Sequence, residues 1–403
     1  MGYNVVILVG GETTGTRFRP LSINSPKLLF AIAGRPLIEH IIDSLISQVK
    51  EIDNVFLLGF YKDSSKFVQF TKDMENKLPH IGFEYLSEAN SKGTAGGLYY
   101  FQDKLFQGKG IVFIHGDIIC DYPFKKLVDF HEKHTSNVTI LGINPLTIVE
   151  NFKKYLSVKA DDSDQLVGDN INNKFGTIVS PKSSVNVEHY VEKPSKDFTI
   201  QFNTKFDILI NGGIYILDKK IFEVLKGRRE EISLEWDILR NLPDSDLKFN
   251  VFKDNVFWYN LKTPLSALLA NGFFLKQQNA VYDNENIGPN VSIGKNVIIG
   301  KGTRIKNAII GDNVVIGDNS FINNAIISNN VKIGKWGRIE GTITNATICR
   351  DVIHTNSDGN IRLINNIVVL CENISVLQDI FVFNSIVLPH KELKFDTKYE
   401  IVM

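Results

Sequence analysis

The residues best suited to chemistry lie in one short window near the start of the chain. It reads Gly10-Gly11-Glu12-Thr13-Thr14-Gly15-Thr16-Arg17-Phe18-Arg19-Pro20, with Ser25-Pro26-Lys27 close behind. Glycines let a backbone approach a phosphate closely and aim its N–H groups at the oxygens. Arg17 would meet those oxygens with a planar fork, and Lys27 with a compact point charge. Either piece alone reads as a glycine-rich turn with solvated cations. Gathered in one window, they point to a triphosphate-like ligand.

The elements that must position this window read as an α/β scaffold. Over residues 1–280 short apolar runs alternate with helical patterns: 5–9 (VVILV), 54–60 (NVFLLGF), 81–86 (IGFEYL), 110–114 (GIVFI) and 138–143 (VTILGI). Between the first two runs, Ile38, Ile41, Ile42, Leu45, Ile46 and Val49 recur at helical spacing, with Pro36 where a first-turn proline is tolerated. Strand and helix in alternation predict a Rossmann-like, mostly parallel sheet with helices on its faces. Ligands of such sheets bind beyond the carboxyl ends of the strands, so chemistry is expected just after VVILV and GIVFI.

From about residue 286 the periodicity changes. Isoleucines stand at 287, 293, 299, 305, 310, 316, 322, 327, 333 and 339, in steps of six or five, and several are followed by glycine. That period fits neither a helix nor a hairpin. It fits one flat face of a triangular coil with Ile pointing inward, which stacks into a parallel β-helix. The expected division is therefore an α/β domain over 1–283 and a parallel β-helix over 284–403, left-handed as families built from hexad coils are. A polar stretch near 350–363, RDVIHTNSDGNIRL, breaks the coil and reads as an exposed loop, with partner contact as the functional alternative.

Bulk properties narrow the partners. Lys+Arg and Asp+Glu number 45 each, so no net field attracts nucleic acid or an anionic membrane. Cys120, Cys349 and Cys371 are far apart and match no zinc spacing, which suits a reducing compartment. No run approaches the roughly 18 apolar residues of a membrane span. Met1 leads straight into the first apolar run, without a secretory pattern, and Val6 stands where myristoylation needs Ser or Thr. A cytoplasmic setting is expected.

The glycine window resembles the signature G-G-x-G-T-R-x-R-P…P-K of the sugar-1-phosphate nucleotidyltransferases. Lys92-Gly93-Thr94-Ala95, His115-Gly116-Asp117-Ile118, Phe175-Gly176, Val191-Glu192-Lys193-Pro194 and Asn211-Gly212-Gly213 resemble that family's later motifs, in the same order. Within it the chain is similar to mannose-1-phosphate guanylyltransferases, including the segments GKWGRIEGT and NSIVLPHKEL. The widened glycine loop and the insertion with Asp358-Gly359-Asn360 resemble the α-type, regulatory chains.

The resemblance implies the reaction of GTP with mannose 1-phosphate to give GDP-mannose and diphosphate, an in-line displacement governed by positioning and charge neutralisation. It implies nucleotide contacts from Gly10, Gly11, Gly15, Thr16, Gly93 and Thr94, and phosphate contacts from Arg17 and Lys27. Gly176, Glu192, Lys193 and Asn211 would line the sugar side, and Asp117 would hold Mg2+. Two departures bear on activity. Glu12-Thr13-Thr14 stand between Gly11 and Gly15 where the enzymes have one residue, and Phe257-Trp258-Tyr259-Asn260 carries a neutral Asn260 where the family has a second metal carboxylate. Mg2+ is a hard ion that favours carboxylate oxygen. The expectation is a chain that binds GDP-mannose and feedback-inhibits a catalytic β-type guanylyltransferase subunit, with Mg2+ needed only if it turns over. Self-association is expected through the β-helix. An active guanylyltransferase and a purely structural subunit are the alternatives. An acyltransferase coil is set aside, since no His lies between 287 and 353.

Overall fold

The computed structural model describes residues 2–13, 15–148, 150, 175–195, 205–225, 227, 231–280, 284–343, 353–355, 361–363 and 367–403. These form two compact units. The first comprises the described parts of 1–15, 38–149 and 165–259; the second comprises those of 16–37, 150–164 and 260–403.

In the first unit the apolar runs become strands. Tyr3–Gly10 lies between Ile111–His115 and Ile52–Gly59, and Gly82–Ser87 follows outside; all four are parallel. The sheet continues on the other side in the opposite sense. Phe206–Leu217 pairs antiparallel with Ile111–His115, and Gly176–Pro181 and then His189–Glu192 extend it further. The parallel half is therefore the one that presents carboxyl strand ends together, and the antiparallel flank is an addition to the expected sheet. The helix expected between the first two runs spans Leu37–Gln48, and Pro36 lies just before it. Val6, Phe113, Ile140 and Tyr215 meet in the core without exposure.

The second unit is a parallel β-helix. Ile293 pairs with Ile310 and Ile310 with Ile327; Ile299, Ile316 and Ile333 form a second stack; Ile305, Ile322 and Ile339 form a third. Each inward row thus repeats once per coil, and burial of these branched side chains is what holds the coils together. Corners are turned by asparagines in the left-handed region, among them Asn290, Asn307 and Asn324. Asn tolerates that region because its short polar side chain can bond locally. Here Asn307 donates to Asn324 Oδ1 at 2.6 Å and accepts from Asn290, a ladder running up one corner. Above Ile339 the next rung is Val382, so the coil closes over a long excursion. Within that excursion Ile353–Thr355 and Ile361–Leu363 pair as an antiparallel hairpin, while Asp358, Gly359 and Asn360 lie outside the described residues. A helix, Pro264–Gln277, is capped by Thr263 and packs on the first coils.

Candidate nucleotide-sugar site

The parallel strands of the first unit end side by side. Gly10 is in register with Gly59, Gly59 with Ser87, and Leu8 with His115. Gly10 takes a positive φ of 76°, which lets its carbonyl accept the Phe60 N–H at 2.9 Å. A Cβ on Gly11 would lie 2.2 Å from the Phe60 ring, so backbone and ring are in direct contact. Gly15 also has a positive φ, and Thr14 lies outside the described residues. Glu12 is turned so that its carboxylate accepts, weakly, the Asp63 N–H at 3.5 Å. Burial, with the charges of Tyr85 and Glu12 behind it, pushes the Tyr61 hydroxyl up to about 12. Glu12 thus brings a negative charge against the Tyr61–Asp63 segment.

The Lys92–Ala95 loop is braced from one side. Lys92 O accepts from Ile232 N–H and Ile232 O accepts from Ala95 N–H, at 2.8 and 2.9 Å. Gly93 has φ 81°, and a Cβ there would strike Ile232 O. Thr94 Oγ1 accepts from Leu234 N–H and donates to Glu235 Oε2 at 2.6 Å. Next to it, the strand end His115 leads into Gly116, whose N–H donates to Leu8 O, and then into half-buried Asp117. His115 Nε2 faces Glu235 Oε1 at 3.7 Å.

On the antiparallel flank four side chains lock together. Asn211 donates to Tyr190 Oη at 3.0 Å and accepts from Tyr215 Oη and Gly213 N–H, both at 2.9 Å. Tyr190 Oη donates to Glu192 Oε2 at 3.1 Å. Burial pushes both tyrosine hydroxyls well up, so they stay protonated donors at every working pH. Gly176 is the floor: a Cβ there would lie 2.1 Å from Tyr190 Oη and 2.8 Å from Glu192 Oε2. Lys193, exposed at φ 48°, holds its ammonium 3.5 Å from Glu192 Oε1.

Gly10, Gly11, Gly15, Gly93, Thr94, Asp117, Gly176, Glu192, Lys193 and Asn211 therefore belong to the first unit. Thr16 and Arg17, exposed in the turn Thr16–Phe18 whose Phe18 is buried, belong to the second, as do Lys27 in the turn Lys27–Leu29 and Asn260. Sequence reasoning missed Tyr190, Tyr215 and Glu235. Tyr190 was within reach, since it lies two residues before Glu192 and shares its strand face.

Among the described residues no group of three or more His, Cys, Asp or Glu side chains is gathered for an ion. Asn260 Oδ1 is buried without a hydrogen-bond partner, an available oxygen, but an amide brings no charge to a hard cation.

A glycine loop at the ends of parallel strands, a braced second loop and a polar sugar-side network, with a β-helix following, define a nucleotidyltransferase-type protein. Sequence profiles agree: one described as nucleotidyl transferase matches residues 4–277, and one described as the GMPPB C-terminal domain matches residues 270–402. A protein of Schizosaccharomyces pombe described as a probable mannose-1-phosphate guanyltransferase is 33% identical, with 99% of each chain covered. The mannose-1-phosphate guanylyltransferase regulatory subunit alpha-B of Danio rerio is 30% identical, again over 99% of each chain. A crystal structure of a glucose-1-phosphate thymidylyltransferase-like protein of Bacillus anthracis matches with TM-score 0.51 at 18% identity, covering 70% of this chain and 98% of that one, which supports the fold. The chain belongs to the nucleotidyl transferase family, within the group of mannose-1-phosphate guanylyltransferases and their regulatory alpha subunits. Members of the family work with a divalent metal. Among the described residues no helix is long and apolar enough to cross a membrane.

Proposed function

We propose that this chain binds GDP-mannose in the first unit and restrains a catalytic β-type guanylyltransferase when that product accumulates. The observation that carries the reading is the state of Asn211, whose amide and carbonyl are both engaged by Tyr190, Tyr215 and Gly213. This network holds the sugar-side wall in one arrangement, and a wall held that way lowers the cost of binding. Glu192 beside it is held by Tyr190 and Lys193, leaving a carboxylate suited to accept sugar hydroxyls. Gly93 and Thr94 offer a fixed backbone edge for the base.

Turnover by this chain is proposed to be weak or absent. Reaction of GTP with mannose 1-phosphate needs charge stabilisation as diphosphate leaves, and the sequence carries the neutral amide of Asn260 where the resemblance implies a metal carboxylate. Mg2+ would matter only for that residual reaction. Feedback restraint requires that GDP-mannose bind one state of the assembly better than another. Self-association through the β-helix fits the reading, since Phe395 and Met403 near the end of the coil are 80% and 83% exposed. Cytoplasmic placement fits the free, buried Cys120 and Cys371. The test is diphosphate release from GTP and mannose 1-phosphate by the pure chain, beside Asn260→Asp. Little wild-type turnover, with inhibition of the catalytic partner by GDP-mannose only when this chain is present, supports it. Robust turnover by the chain alone would favour an ordinary enzyme.

A further inference from the structure

The segment 231–240 joins two parts of the first unit that the sequence motifs treat separately. Leu234–Leu239 is a π-helical turn, in which Arg240 N–H reaches Glu235 O across five residues at 3.2 Å. Such turns are uncommon and frequently mark functional sites. This one is pinned at its start, where Ser233 Oγ accepts from Trp236 N–H at 3.2 Å and Ser233 N–H donates to Asp237 Oδ2 at 2.8 Å. From this fixed base Glu235 projects a side chain that is 13% exposed. Its Oε2 accepts from Thr94 Oγ1 at 2.6 Å and from Ser233 Oγ at 3.0 Å. Its Oε1 faces His115, and its charge reaches the buried Tyr190 and Tyr215.

We infer that Glu235 is a positioning residue: through its hydrogen bond to Thr94 it fixes the Gly93–Thr94 backbone that receives the nucleoside diphosphate end of the ligand. Gly93 itself resists nothing, since glycine loses more conformational freedom on ordering than any other residue. Order must come from outside the loop, and the Thr94–Glu235 bond is the shortest link that supplies it. A hydroxyl donating to an ionised carboxylate is stronger than a neutral bond, so its geometry is well enforced.

The ligand arm of the test rests on the reading above; the other arm does not. Amide hydrogen exchange at Ala95, whose N–H is held by Ile232 O, is measured in the unliganded chain. Glu235→Ala speeds that exchange, and Glu235→Gln, which can still accept from Thr94, restores it. Calorimetry with GDP and with GDP-mannose shows both weakened by the same factor, about tenfold, in Glu235→Ala. In a Thr94→Val background the further change is less than about twofold, as expected when one residue acts through the other. Loss of GDP-mannose affinity with GDP affinity intact would overturn the inference, because Glu235 would then serve the sugar side. Unchanged exchange at Ala95 would overturn it as well. If Glu235→Ala does not fold, Thr94→Val breaks the same bond from the other end and must reproduce both effects by itself. A wild-type chain that binds neither compound would end the functional reading, while the exchange result would still decide the positioning role.

Discussion

Asn211 and Tyr190 are joined by a hydrogen bond of 3.0 Å, and through it the strand carrying Asn211 is tied to the one carrying Glu192. Asn211→Ala leaves the buried hydroxyls of Tyr190 and Tyr215 short of a partner. The loss of stability is about 1–3 kcal/mol, the ordinary penalty for an orphaned buried polar group. Denaturant titration followed by tyrosine fluorescence reads this, and a midpoint equal to wild type would show that the network does not stabilise the fold.

Gly176 tests the same wall from below. A methyl at that position meets Tyr190 Oη and Glu192 Oε2 well inside contact distance, so Gly176→Ala must push the pair away. The expected result is a folded chain whose GDP-mannose affinity falls by about tenfold or more while GDP affinity holds, since only the sugar side is displaced. Equal weakening of both ligands would place Gly176 outside the sugar pocket.

Glu88 gives a pH signature independent of any ligand. It is 6% exposed, its Oε1 is buried with no hydrogen-bond partner, and burial raises its pKa from 4.5 to about 7 against the opposing charge of Lys92. Between those values the folded chain binds the proton and the unfolded chain does not. This group's contribution is therefore full below pH 4.5 and is lost as pH rises through about 7. Glu88→Gln should melt at a higher temperature than wild type at pH 8 and close to wild type at pH 5. A difference of the same size at both values would remove ionisation as the cause.

The corner ladder of the β-helix separates two effects at one position. Asn307 sits at φ 46° and bonds both neighbouring rungs. Asn307→Gly loses the ladder but keeps an easy backbone; Asn307→Ala loses the ladder and strains the corner. Alanine should therefore be less stable than glycine by about 1–2 kcal/mol, and both less stable than wild type, as read from thermal melting of the chain. If glycine equals wild type, the ladder contributes nothing and the corner is a matter of conformation alone.

The β-helix was readable because its information is periodic: Ile305, Ile322 and Ile339 stand at sequence intervals that coincide with spatial stacking. The parallel half of the sheet was readable for a related reason, since VVILV and GIVFI are short buried runs ahead of glycines. The antiparallel flank was not, because strand direction depends on which neighbour Phe206–Leu217 chooses. Glu235 carried no local signal at all. Its partner Thr94 is 141 residues away, and only folding brings a carboxylate to that hydroxyl. The assignment of Arg17 and Lys27 to a unit other than that of Gly10 was likewise invisible in a window that reads as continuous.

The central claim is that this chain holds a sugar nucleotide while lacking, at Asn260, the carboxylate that efficient synthesis would need. Isothermal titration of the pure chain with GDP-mannose, in the absence of Mg2+ and of any catalytic partner, tests it most directly. The account predicts saturable one-site binding that Gly176→Ala weakens. Heat no greater than dilution at all concentrations, from a chain that is folded by its melting curve, would contradict it.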